Sequence, residues 1–128
     1  MITHRGLIES LNGMPTYEPA GHRGTRNVRV IDGEENGLFE LIHGTIEPGG
    51  MADRHRHENS YQAIFILSGL AEVTLGDGNP RRCGADTIVR IPPGIDHQVV
   101  SLGPDPLRLL VAYAPPLERT GSKAGNKG

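Results

Sequence analysis

From residue 25 onward, apolar and polar residues alternate in short runs, the period of half-buried strands. NVRVI alternates after Thr25, the turn DGEENG follows, and LFELIHGTIEP occupies 38–48. In that second run Phe39, Leu41 and His43 share one face and Glu40, Ile42 and Ile46 the other; parity alone does not say which face is inward. YQAIFIL places Gln62, Ile64 and Ile66 on one side and Ala63, Phe65 and Leu67 on the other. Both sides are apolar, so this strand is predicted to be covered on both. Ser68-Gly69 turns into LAEVTL, and GDGNP carries the Asp-Gly signal of a further hairpin. TIVRI, HQVVSL and LRLLVAYAP supply three more strands, the last ending at Pro115-Pro116. At least seven strands with short connections, and no helix longer than a turn or two, predict an all-β sandwich or closed barrel.

The ends read differently. Residues 1–24 show neither helical nor strand periodicity and are expected to form an N-terminal arm lying across a barrel of residues 25–117. The segment 118–128 mixes Gly, Lys and Ser without a large apolar residue, and is expected to be disordered. With 128 residues the chain suffices for one core and is too short for two. Two Phe, three Tyr and no Trp mean that the core is built from Ile, Val, Leu and Ala, while 18 Gly and 10 Pro suit many tight turns.

A net charge of −2 gives no basic footprint for a phosphate backbone, so nucleic acid is not an expected partner. The N-terminal stretch lacks the apolar core of a secretory signal, and no run approaches the ~20 apolar residues of a membrane span. A soluble, cytoplasmic protein without a membrane partner is expected. Cys83 stands alone, which rules out an intrachain disulfide. Its neighbour Arg82 would favour a thiolate, but nothing nearby supplies a base or oxyanion hole, and it reads as a small strand or turn residue.

The chemistry concentrates in two stretches. In 49–69, His55 and His57 are two residues apart, so in an extended chain both imidazoles project to one spot, a metal-ligand geometry. In 84–101, Pro92, Gly94 and His97 form P-x-G-x-x-H, where Pro93-Gly94 favours a type II turn that releases the chain into a new strand. Pro48-Gly49 predicts the same turn before the first histidine pair, as in adjacent hairpins of a small barrel.

With these positions the chain resembles a single-domain cupin. The first motif of that family, G-x5-H-x-H-x(3,4)-E-x6-G, is matched by Gly49, His55, His57 and Gly69, with Gln62 at the acidic position. The second, G-x(5–7)-P-x-G-x2-H-x3-N, is matched by Gly84, Pro92, Gly94 and His97, with Ser101 where Asn is usual. The resemblance implies a double-stranded β-helix or jelly-roll barrel and a metal held by His55, His57, Gln62 and His97. It also implies an arm that reaches a neighbouring subunit, hence a homodimer.

Three imidazoles and an amide oxygen suit a divalent transition metal, Zn, Mn, Fe, Ni or Co, and softness alone does not choose among them. Four protein ligands on an octahedral ion leave two positions open, which points to catalysis on a small-molecule substrate rather than a closed structural site. Amide in place of carboxylate leaves the ion its full charge and favours Lewis-acid chemistry. Similar three-His, one-Gln cupins include enzymes that ketonise unsaturated uronates, polyketide cyclases and hydroxynitrile lyases, so the resemblance implies an isomerase, lyase or cyclase. If Gln62 instead hydrogen-bonds a ligating water, the centre is a three-His site of the kind found in thiol and diketone dioxygenases. A ligand-binding module without turnover is the other class, and the lack of a helix-turn-helix segment favours the enzyme. His43 is a candidate acid or base if its strand face is inward, and an ordinary strand residue if not. His4 and His22 fall outside the expected strands and are set apart from the metal, while Arg54, Arg56 and Tyr61 have the parity to point away from it.

Overall fold

The computed structural model describes residues 6–118. The disordered tail expected for 118–128 lies, beyond Glu118, outside the described residues, as does His4. The elements are β1 (His22–Ile31), a single 3-10 turn (Gly33–Glu35), β2 (Glu40–His55), β3 (Tyr61–Ser68), β4 (Ala71–Leu75), β5 (Arg81–Cys83), β6 (Ile88–Ile91), β7 (His97–Ser101) and β8 (Leu107–Ala114). The fold is all-β, as the alternation predicts. Among the described residues there is no α-helix, and so none long and apolar enough to cross a membrane. The strand missing from the sequence reading is β5, three residues long and too short to show a period.

All pairings are antiparallel, in the order β5-β4-β7-β2-β8-β3-β6, with β1 also on β2. The sheet curls into a half-barrel around β2, whose first half pairs with β8 (Glu40 to Tyr113 through Ile46 to Leu107) and whose second half pairs with β7 (Met51 to Val100, His55 to His97). The expected Pro48-Gly49 turn therefore does not separate two strands. Gly49 does take a positive φ of 84°, but β1 bridges the bend, pairing with β2 at Ile46 and again at Met51. The ladder carries on through a corner.

The same pairing corrects the start of the first strand. It begins at His22 rather than Thr25, because His22 and Arg23 pair with Ala52 and Met51 beyond a register shift in which residues 47–50 of β2 bulge opposite Gly24. The preceding segment runs without regular structure, touches β1 through a Tyr17–Asn27 bridge, and lies with Leu11 and Met14 against the outer face of β1 and β2.

Strand parity is decided by burial. Ile42, Ile46 and Ala52 of β2, Ile64 and Ile66 of β3, Val99 of β7, and Leu107, Leu109, Val111 and Tyr113 of β8 form one apolar core inside the curl. Phe65 and Leu110, on the opposite face, are only half-buried, so β3 is less covered on its outer side than expected. The β3–β4 turn depends on Gly69, at φ 92°, where an added Cβ would stand 2.7 Å from the Pro106 carbonyl oxygen and 2.8 Å from Leu107 Cα. Gly76 also has positive φ, 55°, but open space around it. Gly69→Ala is therefore expected to cost about 1–3 kcal/mol more than Gly76→Ala, a difference of several degrees in melting temperature. Equal melting points of the two variants would show that the turn relaxes freely.

Candidate metal centre

Three histidines converge in the mouth of the curl. His55 ends β2 and His97 begins β7, and their Cα atoms are register partners, so strand pairing itself sets the imidazoles side by side with ring centroids 4.3 Å apart. His57, just beyond β2, joins them at 5.0 Å from His55 and 5.5 Å from His97. The Pro93-Gly94 turn that precedes β7 is fastened to this segment by Gly94 N–H donating to the His57 carbonyl at 2.9 Å. One ligand atom from each histidine lies within 4.8 Å of the others.

Alternation sorts the neighbours. Arg54 and Arg56 turn outward and close on Asp96, at 3.3 and 2.7 Å, tying the end of β2 to the start of β7 from the solvent side. The Arg56 hydrogen bond, foremost among the interactions that outweigh desolvation, holds the Asp96 carboxyl below its ordinary range. The two arginines are exposed and Asp96 is partly so, so the clamp aligns the strands more than it stabilises them.

The donor set fits a cation. His97 Nδ1 is bonded to the Ile95 carbonyl at 3.0 Å and His55 Nδ1 to the Asp53 carbonyl, so each Nδ1 carries the proton and each Nε2 presents a lone pair. Nε2 of His57, Nε2 of His97 and Oε1 of Gln62 are buried without a hydrogen-bond partner. Burial, reinforced by the neighbouring imidazoles, pushes His57 down to about 3 and His97 down to about 4, so both rings are neutral at neutral pH, as metal ligation requires.

Gln62, the first inward residue of β3, sits on the same cavity as His55 and His97. Its Nε2 donates to the Tyr113 hydroxyl at 3.3 Å, which commits the amide nitrogen and leaves the oxygen without a protein partner. Tyr113 also meets His57 edge-on, centroids 5.2 Å apart, and is 2% exposed. Burial pushes its phenol above the ordinary value, so the hydroxyl stays protonated. The sequence reading passed over Tyr113, although period two from Leu107 through Leu109 and Val111 leads to it.

The structure corrects one histidine, His22, and decides between the two readings of another, His43. His22 does not stand apart: it lines the cavity, its ring is 6.3 Å from that of His55, and its Nδ1 is bonded to Thr25 Oγ1 at 3.1 Å. Only the long-range pairing of β1 with β2 brings it there. His43 does not reach the cavity. It is on the outer face of β2, where Arg108 donates to its Nε2 at 3.0 Å. Burial first, then the Arg108 charge, keeps that ring below its ordinary pKa. Ser101 is fully buried within β7, a strand position rather than a turn. Cys83 is a free, half-buried thiol on β5, remote from the histidine cluster in the sheet order.

Both motif strands, their register and the convergent histidines are now in place, and a profile of the Cupin_2 cupin domain matches residues 42–113. The chain belongs to the cupin family. Oxalate decarboxylase OxdC of Bacillus subtilis is 33% identical over 73 residues, which is 54% of this cupin and 19% of that protein, so the chain spans about a fifth of the curated relative it matches. The polyketide cyclase RemF of Streptomyces resistomycificus superposes with a TM-score of 0.73 at 23% identity, over 98% of this chain and 89% of that one. KdgF from Halomonas sp. does so with a TM-score of 0.65 at 24% identity, over 75% and 82%. At such identities the likeness is one of fold.

The depressed histidine pKa values set a pH dependence for the metal-free protein. His57 and His97 have folded pKa values of about 3 and about 4 against an ordinary 6.5, so the unfolded chain binds more protons below 6.5. Their contribution is full above 6.5 and is lost as pH falls towards those folded values. Chelator-treated protein is expected to melt at progressively lower temperature between about pH 6.5 and 5, above the main carboxylate range. The slope should flatten in a His57→Gln/His97→Gln variant. An identical slope in wild type and variant would mean that other groups control acid stability.

Proposed function

We propose that this cupin is a metal-dependent enzyme that takes a small oxygenated molecule through a carbonyl or hydroxyl and transforms it without net redox change, as an isomerase, lyase or cyclase. The observation that carries the reading is the state of Gln62: its amide nitrogen is engaged by Tyr113, and its oxygen is buried, unpartnered and on the cavity of the histidine cluster. His55, His57 and His97 through nitrogen, and Gln62 through Oε1, would hold a divalent ion, Zn, Mn, Fe, Ni or Co. Such an ion would supply a Lewis acid whose charge no ligand carboxylate offsets.

The chain's own part is positioning and exclusion. Tyr113, buried and protonated, fixes the Gln62 amide in the orientation that presents oxygen. Ile42, Ile64, Val99 and Val111 line the cavity, exclude water and lower the local dielectric, which strengthens any interaction made with a developing charge. Among the described residues no carboxylate, lysine or arginine lines it, so the ion would supply the charge that a substrate meets at the cavity wall.

A single substitution tests the reading. Gln62→Glu keeps an oxygen donor and adds a negative charge, so metal binding is expected to be at least as tight while turnover falls about tenfold or more. Substrates follow from the reaction class: unsaturated uronates, hydroxynitriles and poly-β-ketones, with diketones and thiols under recorded oxygen uptake as the dioxygenase arm. Equal turnover by the Glu variant at matched metal occupancy would defeat the Lewis-acid reading, and oxygen consumption would favour the dioxygenase.

We also read the protein as a homodimer. Leu7 and Ile8 of the arm are fully exposed, at 103% and 98%, and Ile88 on the outer face of β6 is 40% exposed; apolar surface of this kind gains from burial against a second copy. Light scattering is expected to give twice the 13.8 kDa chain mass, and Leu7→Ser/Ile8→Ser to shift it towards one. A wild-type mass of one chain at micromolar concentration would refute this.

A further inference from the structure

We infer that β1 supplies a second recognition group to the pocket: His22 Nε2 hydrogen-bonds one polar atom of a small ligand whose neighbouring oxygen reaches the metal cluster. The ligand class is then a small compound with two adjacent oxygen functions, such as a 2-hydroxy acid, a 2-oxo acid or a β-dicarbonyl. This rests on the metal reading above and deepens it.

The argument begins with parity. In an unbroken strand His22 and Thr25, three residues apart, would face opposite ways. Between Arg23, which pairs with Met51, and Thr25, which pairs with Ile46, the register slips: residues 47–50 of β2 stand opposite Gly24 alone, and the chain, turning there at φ 70°, sets His22 on the same side as Thr25. His22, Thr25 and Asn27 consequently all line the cavity, and Thr25 and Asn27 are 7% and 5% exposed. A bulge that re-aims one side chain into a cavity is a recurrent device beside functional sites.

The wall that results is polar in an apolar surround. Thr25 Oγ1 anchors the imidazole at Nδ1, and Nε2 is buried without a hydrogen-bond partner. A buried imidazole nitrogen left so is costly unless something else completes it. A structural histidine would have both nitrogens satisfied by the protein; this one lines the cavity with its second nitrogen buried and unpartnered.

His22 is not a fourth member of the cluster. The donor atoms of His55, His57 and His97 fall within 4.8 Å of one another, and His22 is not among them. Its ring stands 6.3 Å from that of His55, whereas the three cluster rings are 4.3 to 5.5 Å apart. A ligand atom between the two groups would therefore meet the ion on one side and His22 on the other. The cavity is about 40 Å³, room for the reacting end of a molecule rather than for a whole one, so its two oxygen functions must be close neighbours.

The test compares two probes on zinc-loaded protein by calorimetry: glycolate, which carries adjacent hydroxyl and carboxylate, and acetate, which lacks the hydroxyl. Wild type is expected to bind glycolate more tightly than acetate, and His22→Ala to weaken glycolate about tenfold while acetate changes less than about twofold. His22→Gln, which keeps a hydrogen-bonding end, should recover part of the loss. Zinc affinity from chelator competition should stay within about threefold of wild type in both variants, in contrast to His97→Ala, which should lose zinc. Unchanged glycolate affinity in His22→Ala, or no preference for glycolate in wild type, would overturn this inference and leave the metal reading standing. Loss of zinc in His22→Ala would make His22 a ligand and overturn it as well. A wild type that binds no zinc or other divalent ion would bring down the metal reading itself.

Discussion

The structure depends on burying polar atoms that the protein does not satisfy. Nε2 of His22, His57 and His97 and Oε1 of Gln62 are enclosed without hydrogen bonds, and all but the His57 atom belong to residues on one cavity whose remaining walls are mostly apolar. Each such atom costs about 1–3 kcal/mol, and four of them approach the few kcal/mol by which a domain of this size is stable. They are tolerated because they sit on strands fixed by other means: the ladders of β2 with β7 and β8, and a core in which Ile42, Ile66 and Leu107 are essentially inaccessible. The site is thereby preorganised, since the fold already bears the cost of desolvating the donors before any ligand arrives.

Charge is kept outside this arrangement. Arg54, Arg56 and Asp96 occupy the solvent side of the segments whose inner side carries His55, His57 and His97, so strand alternation separates ionic from neutral donors without any further device. Inside, Tyr113 does for Gln62 what the carbonyls of Asp53 and Ile95 do for His55 and His97: a hydrogen bond to one polar atom fixes where the other points. With an amide rather than a carboxylate at that position, the protein contributes no net charge to the cluster. In the proposed reading, that departure from the usual cupin motif would leave the charge of a bound ion without an offsetting ligand charge, and so would set how strongly it polarises what it binds.

The long strand β2 connects these features. It bends at Pro48-Gly49 and exchanges one partner for another, while β1 follows it on the shorter path, with Gly24 alone opposite the bulged residues 47–50 of β2. The bend brings His55 opposite His97, and the bulge brings His22 to face them. Two local irregularities thus assemble a pocket from residues that span most of the barrel's sequence.

What the sequence by itself determined was everything governed by short-range periodicity and by spacing within a motif. The strands of 38–114 other than β5, the shared face of His55 and His57 and the opposite direction of Arg54 and Arg56 follow from period two, and the cupin motif spacing added His97. The sequence left open the inward face of β2, because each face carries two large apolar residues and one polar one, Phe39 and Leu41 with His43 against Ile42 and Ile46 with Glu40, and only the pairing with β8 decided it. That same pairing turned His43 outward to Arg108. Placing His22 and Tyr113 beside the histidine cluster was likewise beyond local reading, since each depends on contacts between residues far apart in the chain, and in the case of His22 on a bulge that reverses the parity a regular strand would impose. Local alternation is written in neighbouring residues; which strand lies beside which, and where a ladder slips by one residue, is decided by the whole sheet closing on its core.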